Sequence, residues 1–333
     1  MVHVQFGLVV FGLLAVGQAS QPAVGSLSGF EASPHFGEQL RSDAFEPDVL
    51  VHINAPAPEA FKAERPVRVV VFALPNGNTT AQTIGRRMEP GLDWHFDIQH
   101  IGAQIRRVRE VVTDANIVVV YLEAKGRSWP HWRQTHPDGG AILVRLIESL
   151  RDTFKGSEVT VALTGHSGGG SLIFGYLNQV ERIPDWIDRI VFLDANYGYD
   201  DEQGHGDKLL AWLRTNKRRH LGVIAYDDRR IRIDGKLVVG PTGGTYRKTQ
   251  RMAERLGRDV DLKRTQTDRY ERFTGLGAQI ELTLVNNPDD AILHTVLVEK
   301  NGLIHGLTFG SPWEDKAGEF FADRAYDRWI QPF

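Results

Sequence analysis

Cysteine is absent from all 333 residues. That omission removes disulfides, thiolate zinc sites, a thiol nucleophile and a lipid-bearing cysteine at a processing site. Without cross-links the core alone must supply stability. An excess of one sign of charge is also missing. The 39 Lys and Arg residues nearly balance 42 Asp and Glu, for a formal net charge of −3, and both signs are mixed along the chain. No basic stripe implies nucleic acid as a partner, and no acidic tail is present. The run Lys217-Arg218-Arg219-His220 reads as a helix C-terminus, where cations complement the dipole.

The apolar run 6–16 is too short to span a bilayer. Gly17-Gln18-Ala19 then places small residues at the two positions a signal peptidase requires. Residues 1–19 are read as a cleaved secretory signal ending at Ala19, although the preceding segment has His3 and no Lys or Arg. The expectation is a secreted or periplasmic protein with no stable membrane anchor after cleavage.

Twelve histidines are present, but none forms H-E-x-x-H. The pairs His95/His100 and His131/His136 are five residues apart, which misaligns them on a helix. No metal and no cofactor are expected. Gly243-Gly244-Thr245-Tyr246 lacks the G-K-[ST] of a phosphate loop and follows no strong strand.

Strands and helices alternate through the rest of the chain. Residues 20–46 contain Gly, Ser and Pro without a clear period and read as a linker or surface wrap. Strands are predicted at 49–54, 67–74, 117–122, 159–163, 190–193, 221–226 and 280–285. Helices are predicted at 98–112, 142–154, 171–177, 208–215, 246–256 and 314–329, with a polar β excursion at 229–239. Ile101, Ile105, Val108 and Val112 share one helix face, as do Ile142, Leu146, Ile147 and Leu150. Continuously apolar strands alternating with helices imply a mostly parallel sheet covered on both faces. The simplest organisation is one α/β domain over 47–333.

The most informative stretch is Gly165-His166-Ser167-Gly168-Gly169. The β-rich segment Val159-Thr160-Val161-Ala162-Leu163 precedes it, and Ser171-Leu172-Ile173-Phe174-Gly175-Tyr176-Leu177 follows as a helix. A serine between strand and helix, flanked by close-set glycines, matches the G-x-S-x-G elbow. Side chains beside such a serine would collide with the strand or the helix, and glycine tolerates the strained turn.

On this elbow and the surrounding alternation, the chain resembles the α/β-hydrolase superfamily over roughly 49–333. The resemblance implies an α/β-hydrolase fold and a nucleophile, acid and histidine in that chain order. Ser167 is the nucleophile by this pattern. Two acids fit: Asp194 closes Ile190-Val191-Phe192-Leu193, and Asp228 follows Ala225-Tyr226-Asp227. The superfamily more often carries its acid after the later strand, though some lipases carry it one strand earlier. The Gly/Tyr-rich turn after Asp194 favours Asp194, whereas Asp-Asp-Arg-Arg resembles a solvated, ion-paired turn. Asp228 stays as the alternative.

Two histidines fit the base. His294 lies at about the usual distance beyond the last predicted strand, whereas His305 requires a hairpin to return it to the site. His294 is preferred and His305 is the alternative. The resemblance places the oxyanion hole in the loop Leu74-Pro75-Asn76-Gly77-Asn78, with Gly77 allowing close approach and the Asn78 N–H as one donor. The N–H of Gly168, at the positive end of its helix, is the second donor. Trp129 and Trp132, after the strand at 117–122, are candidate substrate-pocket residues.

The expected chemistry is ester hydrolysis through an acyl-enzyme on a Ser-His-Asp triad. The expected partner is a small-molecule or polymeric ester substrate. A peptidase or amidase on the same triad, and an inactive binding protein that keeps the fold, are the alternatives. No large apolar insertion suggests a lipase lid.

Overall fold

Valine and isoleucine fill the stretches that become the central strands because those strands are covered on both sides. In β4 (Val67–Ala73), Val67, Val69 and Val71 enter one apolar layer, and Val70 and Phe72 enter the opposite layer. The structure, a computed structural model, describes Met1 and residues 25–332. The leader read at 1–19 therefore lies, Met1 apart, outside the described residues.

The elements before β4 are β1 (Glu31–Ala32), β2 (Gln39–Phe45) and β3 (Val49–Ala55). After it come α1 (Thr80–Ile84), α2 (Ile101–Val111), β5 (Asn116–Ala124), α3 (Trp129–Thr135), α4 (Gly139–Asp152) and β6 (Val159–His166). The chain continues with α5 (Gly170–Gln179), β7 (Ile187–Leu193), α6 (His205–Thr215), β8 (His220–Tyr226) and the short pair β9 (Arg232–Ile233) and β10 (Lys236–Leu237). It closes with α7 (Thr245–Gly257), β11 (Lys263–Gln266), β12 (Tyr270–Gly275), β13 (Ile280–Val285), α8 (Val296–Glu299) and α9 (Gly302–Thr308).

All the strands except β9 and β10 join one sheet in the order β1-β2-β3-β5-β4-β6-β7-β8-β13-β12-β11. The run from β5 through β13 is parallel; β2, β3 and β5 pair antiparallel at one side, as do β13, β12 and β11 at the other. Helices α3 to α7 supply the layer on one face, and α2, α8 and α9 supply the other. This order, with the elbow serine after β6, is the α/β-hydrolase fold. No helix among the described residues is long and apolar enough to cross a membrane.

Three stretches differ from the sequence reading. The segment read as linker or wrap contributes the short edge strand β1 and the adjoining β2, which pairs with β3 along its whole length. Its residues are half-exposed and carry little apolar signal, but the adjoining Glu38 is buried between Arg106 and Arg109 of α2 at 2.7 and 2.6 Å. Burial works to raise the Glu38 pKa, and the two guanidinium groups outweigh it and hold the carboxyl below its usual value.

The helix expected at 314–329 does not form. Asp315, Gly318 and Phe321 have positive φ, which breaks helical continuity, and only Asp327–Trp329 makes a 3-10 turn. The buried Asn301 side chain takes over local backbone bonding there, donating to the carbonyls of Glu319 and Asp323 and accepting from the Ala325 N–H. Strands β11 and β12 were also not foreseen; β11 is exposed and polar throughout.

Candidate active site

Ser167, Asp194, Asp228 and His294 sit beyond the carboxyl ends of the parallel strands, where loops meet over the sheet. Ser167 directly follows β6 and has φ +52°, a left-handed conformation uncommon in a residue with a side chain. Its 3-10 turn feeds straight into α5. The turn packs so closely on β4 that a side chain at Gly169 would run into the Ala73 carbonyl. Asp194, directly after the neighbouring β7, is strained in the same sense, with φ +45°. Such conformations persist only where the surroundings over-determine them, and they concentrate at functional sites.

The structure brings Asp194 and His294 together. His294 lies on the loop after β13, and its Nδ1 is 2.5 Å from Asp194 Oδ2. Asp194 is fully buried, and its other oxygen accepts a short hydrogen bond from the Thr245 hydroxyl. His294 is itself held from behind. Its carbonyl accepts from His166 Nε2 at 3.0 Å, and the two rings lie 4.6 Å apart. Burial and the neighbouring His294 depress the His166 pKa far below the usual histidine range, so the ring next to Ser167 stays neutral. Its Nδ1 faces the Gln99 side-chain amide at 3.2 Å.

Asp228, the alternative acid, joins the same network at one remove. The turn expected to be solvated divides: Asp227 pairs with Arg229 at 2.7 Å, but Asp228 turns inward and is 3 % exposed. Asp228 Oδ2 accepts the Thr245 N–H at 2.8 Å, and its Oδ1 has no hydrogen-bond partner among the described residues. Burial first, then the charge of Asp194, push its pKa up to about 6. Thr245 thus connects the two carboxyls, with its hydroxyl turned to Asp194.

His305, the alternative base, is placed elsewhere. It sits on α9 in the core, with Nε2 2.5 Å from Glu281 Oε1. Glu281 lies near the amino end of β13, so the pair occupies the opposite end of the strand from the loop that carries His294. The hairpin that would have returned His305 is instead α8 followed by α9.

Beside Ser167 lies a cavity of about 430 Å³ lined by Asn76, Pro130, Arg133, Ser167, Gly168, Ser171, Ala195, Tyr197 and Gly198. Trp129 and Trp132 do not line it. Each is 1 % exposed, and their indole N–H groups donate to the carbonyls of Leu122 and Pro47. On α3, residues three apart share a face, so both tryptophans turn into the core while Pro130 and Arg133 turn to the cavity.

Of the residues expected to form the oxyanion hole, Gly168 lines the cavity, and Gly77 and Asn78 do not. The Gly77 N–H is already donated to the Arg127 carbonyl at 2.9 Å, and Asn78 is buried away from the cavity lining. Gly77 has φ +84° and turns the loop so that the preceding residue, Asn76, reaches the site. The Asn76 side chain lies directly against the Cα of Gly168, which also lines the cavity.

Asn76, Thr245 and the supporting His166 were not singled out from sequence. His166 adjoins the serine and Asn76 lies in the loop 74–78, but nothing local marks Thr245 as a partner of Asp194. No group of three or more potential metal ligands is clustered among the described residues.

No protein-family model matches the chain, and no curated protein matches it. Among solved structures it is similar to the siderophore hydrolase EstB from Aspergillus nidulans, with 15 % identity, a TM-score of 0.40, and 87 % of this chain and 96 % of that chain covered. It is also similar to poly(aspartic acid) hydrolase-1 from Sphingomonas sp. KT-1, with 15 % identity, a TM-score of 0.43, and coverage of 78 % and 96 %. A ferulic acid esterase gives 11 % identity, a TM-score of 0.42, and coverage of 81 % and 98 %. By its own strand order, its two helical layers and its elbow after β6, the chain has the α/β-hydrolase fold.

Proposed function

We propose that the chain is a serine hydrolase that cleaves carboxylic esters, with Ser167 as nucleophile, His294 as base and Asp194 as acid. The observation that carries this reading is the 2.5 Å contact between His294 Nδ1 and Asp194 Oδ2, with the His294 carbonyl bonded to His166, the residue before the strained Ser167. A carboxylate at Nδ1 fixes the tautomer that leaves Nε2 free to take a proton, and it stabilises the imidazolium that results. The neutral, buried His166 supports the His294 backbone without adding a competing charge.

In the first half-reaction, Ser167 Oγ bonds to the ester carbonyl carbon as its proton passes to His294. The negative oxygen of the tetrahedral intermediate meets the Gly168 N–H at the start of the helical segment and an amide donor from Asn76. Each such donor is worth on the order of a hundredfold in rate. Collapse breaks the bond to the alkoxide, which takes the proton from His294 and leaves as alcohol. Water, deprotonated by the same histidine, then releases the acid from Ser167.

Stopped-flow hydrolysis of p-nitrophenyl acetate tests this. The expected trace has a burst of p-nitrophenol close to one per active site, or steady turnover without a burst where deacylation is fast. In either case turnover is lost in Ser167→Ala. Turnover retained by Ser167→Ala would reject the assignment.

A further inference from the structure

We propose, on the basis of the ester-hydrolase reading above, that the cavity beside Ser167 selects esters whose acyl part ends in a carboxylate, with Arg133 as the group that binds it. Arg133 is the only charged residue among those that line the cavity. Its Nη1 donates to the Ser171 carbonyl at 3.1 Å and to Ser171 Oγ at 3.3 Å, which fixes the guanidinium against α5. Gly175 makes this seat possible, because a side chain there would meet Arg133 Nε at 2.8 Å.

What the guanidinium lacks is an anion. No carboxylate among the described residues pairs with it, and Nε and Nη2 take no partner there, yet neither atom is sealed from solvent. Burial alone lowers the Arg133 pKa, with no neighbouring acid to oppose it. The contrast with Arg189 is informative. That residue makes no ion pair either, but Nη1 and Nη2 each donate to a backbone carbonyl, of Gly306 and Phe309, as befits a structural arginine. Arg133 keeps open the forked donor edge that suits a carboxylate.

The placement also sets a length. Ser171 is four residues beyond Ser167, roughly one helical turn or about 6 Å along the axis. Gly175, against Nε, is a further turn on, so a carboxylate on the Nη2 side lies at least about two methylenes from the carbonyl under attack, and succinyl and glutaryl half-esters are the first probes of that spacing. Pro130, Ala195 and Gly198 offer the intervening methylenes a surface without charge.

The test compares monoethyl succinate with ethyl butyrate, which differ by a carboxylate in place of a methyl, by ethanol release in the wild type, Arg133→Gln and Arg133→Lys. The expected wild-type kcat/KM is at least about tenfold higher for the half-ester, and this ratio shrinks in high salt. In Arg133→Gln the ratio collapses to about one or below, while Arg133→Lys keeps part of it. A wild-type ratio at or below one overturns the inference, as does a ratio that survives Arg133→Gln. Should Arg133→Gln fail to fold by circular dichroism, the wild-type ratio and its salt dependence decide by the same criterion. Turnover of ethyl butyrate without preference rejects the anion inference alone. Turnover of neither ester, with no labelling of Ser167 by a fluorophosphonate, rejects the hydrolase reading itself.

Discussion

Replacing Asp228 with asparagine changes how the protein's stability depends on pH. In the folded chain the Asp228 carboxyl is held at about 6 against an ordinary 3.8, through burial first and then the charge of Asp194. Each pH unit corresponds to 1.36 kcal/mol, so the folded state disfavours the Asp228 anion by about 3 kcal/mol relative to the unfolded chain. The folded state binds this proton more tightly. Stability from the group is therefore full below pH 3.8, falls as pH rises towards 6, and is flat above that. The asparagine side chain keeps an oxygen for the Thr245 N–H but has nothing to titrate. Urea unfolding followed by tryptophan fluorescence, at steps from about pH 4 to 7.5, gives both proteins' free energies, and titration common to both cancels in their difference. The wild type is expected to lose about 2 to 3 kcal/mol more than Asp228→Asn across that range. Adding Asp194→Asn removes the second cause of the shift and should shrink the effect. Parallel curves for wild type and Asp228→Asn would refute the reasoning, since Asp228 would then have no unusual affinity for its proton.

Further predictions concern the supports of the site and the fold. Thr245→Val removes the hydroxyl that bonds Asp194 and should lower kcat about tenfold with little change in KM, and reduce unfolding free energy by about 1 to 3 kcal/mol; Thr245→Ser should restore most of both, by steady-state kinetics and urea titration. Glu38→Gln leaves two buried arginines facing each other and should destabilise the fold by about 3 to 5 kcal/mol, read by urea unfolding. Gly169→Ala drives a methyl into the Ala73 carbonyl and should abolish ester turnover, with any soluble protein showing a lowered melting temperature by calorimetry.

Much of this architecture was legible in the residues because two-sided burial leaves a plain mark. The runs that became β4, β5, β6 and β8 are apolar on successive positions, and the elbow needs glycines where two strands and a helix converge. Edge elements leave no such mark. β2 and β11 pair through the backbone, so their side chains are free to be polar, and what secures the β2 end is a carboxylate, Glu38, whose partners come from α2.

At the site, the legible part was what lies at strand ends. Asp194 and His294 follow strands, and their meeting needed only the fold. Trp129 and Trp132 misled because residue type alone does not reveal which face of α3 turns to the core; Pro130 and Arg133, on the other face, line the cavity. Thr245 was not legible, since its role depends on Asp194 and Asp228, which come from two other strand ends. The expected 314–329 helix failed because Asn301, distant in sequence, supplies the hydrogen bonds that a helix would have made for itself.

The most direct measurement is covalent labelling by a fluorophosphonate, with the adduct located by peptide mass mapping, in the wild type and in Ser167→Ala, His294→Ala and His305→Ala. The account requires an adduct on Ser167 that is lost in Ser167→Ala and nearly lost in His294→Ala. The folded fraction of His305→Ala should still react, because His305 bonds Glu281 in the core. A folded wild type that takes no label, or labelling that needs His305 and survives His294→Ala, would contradict it.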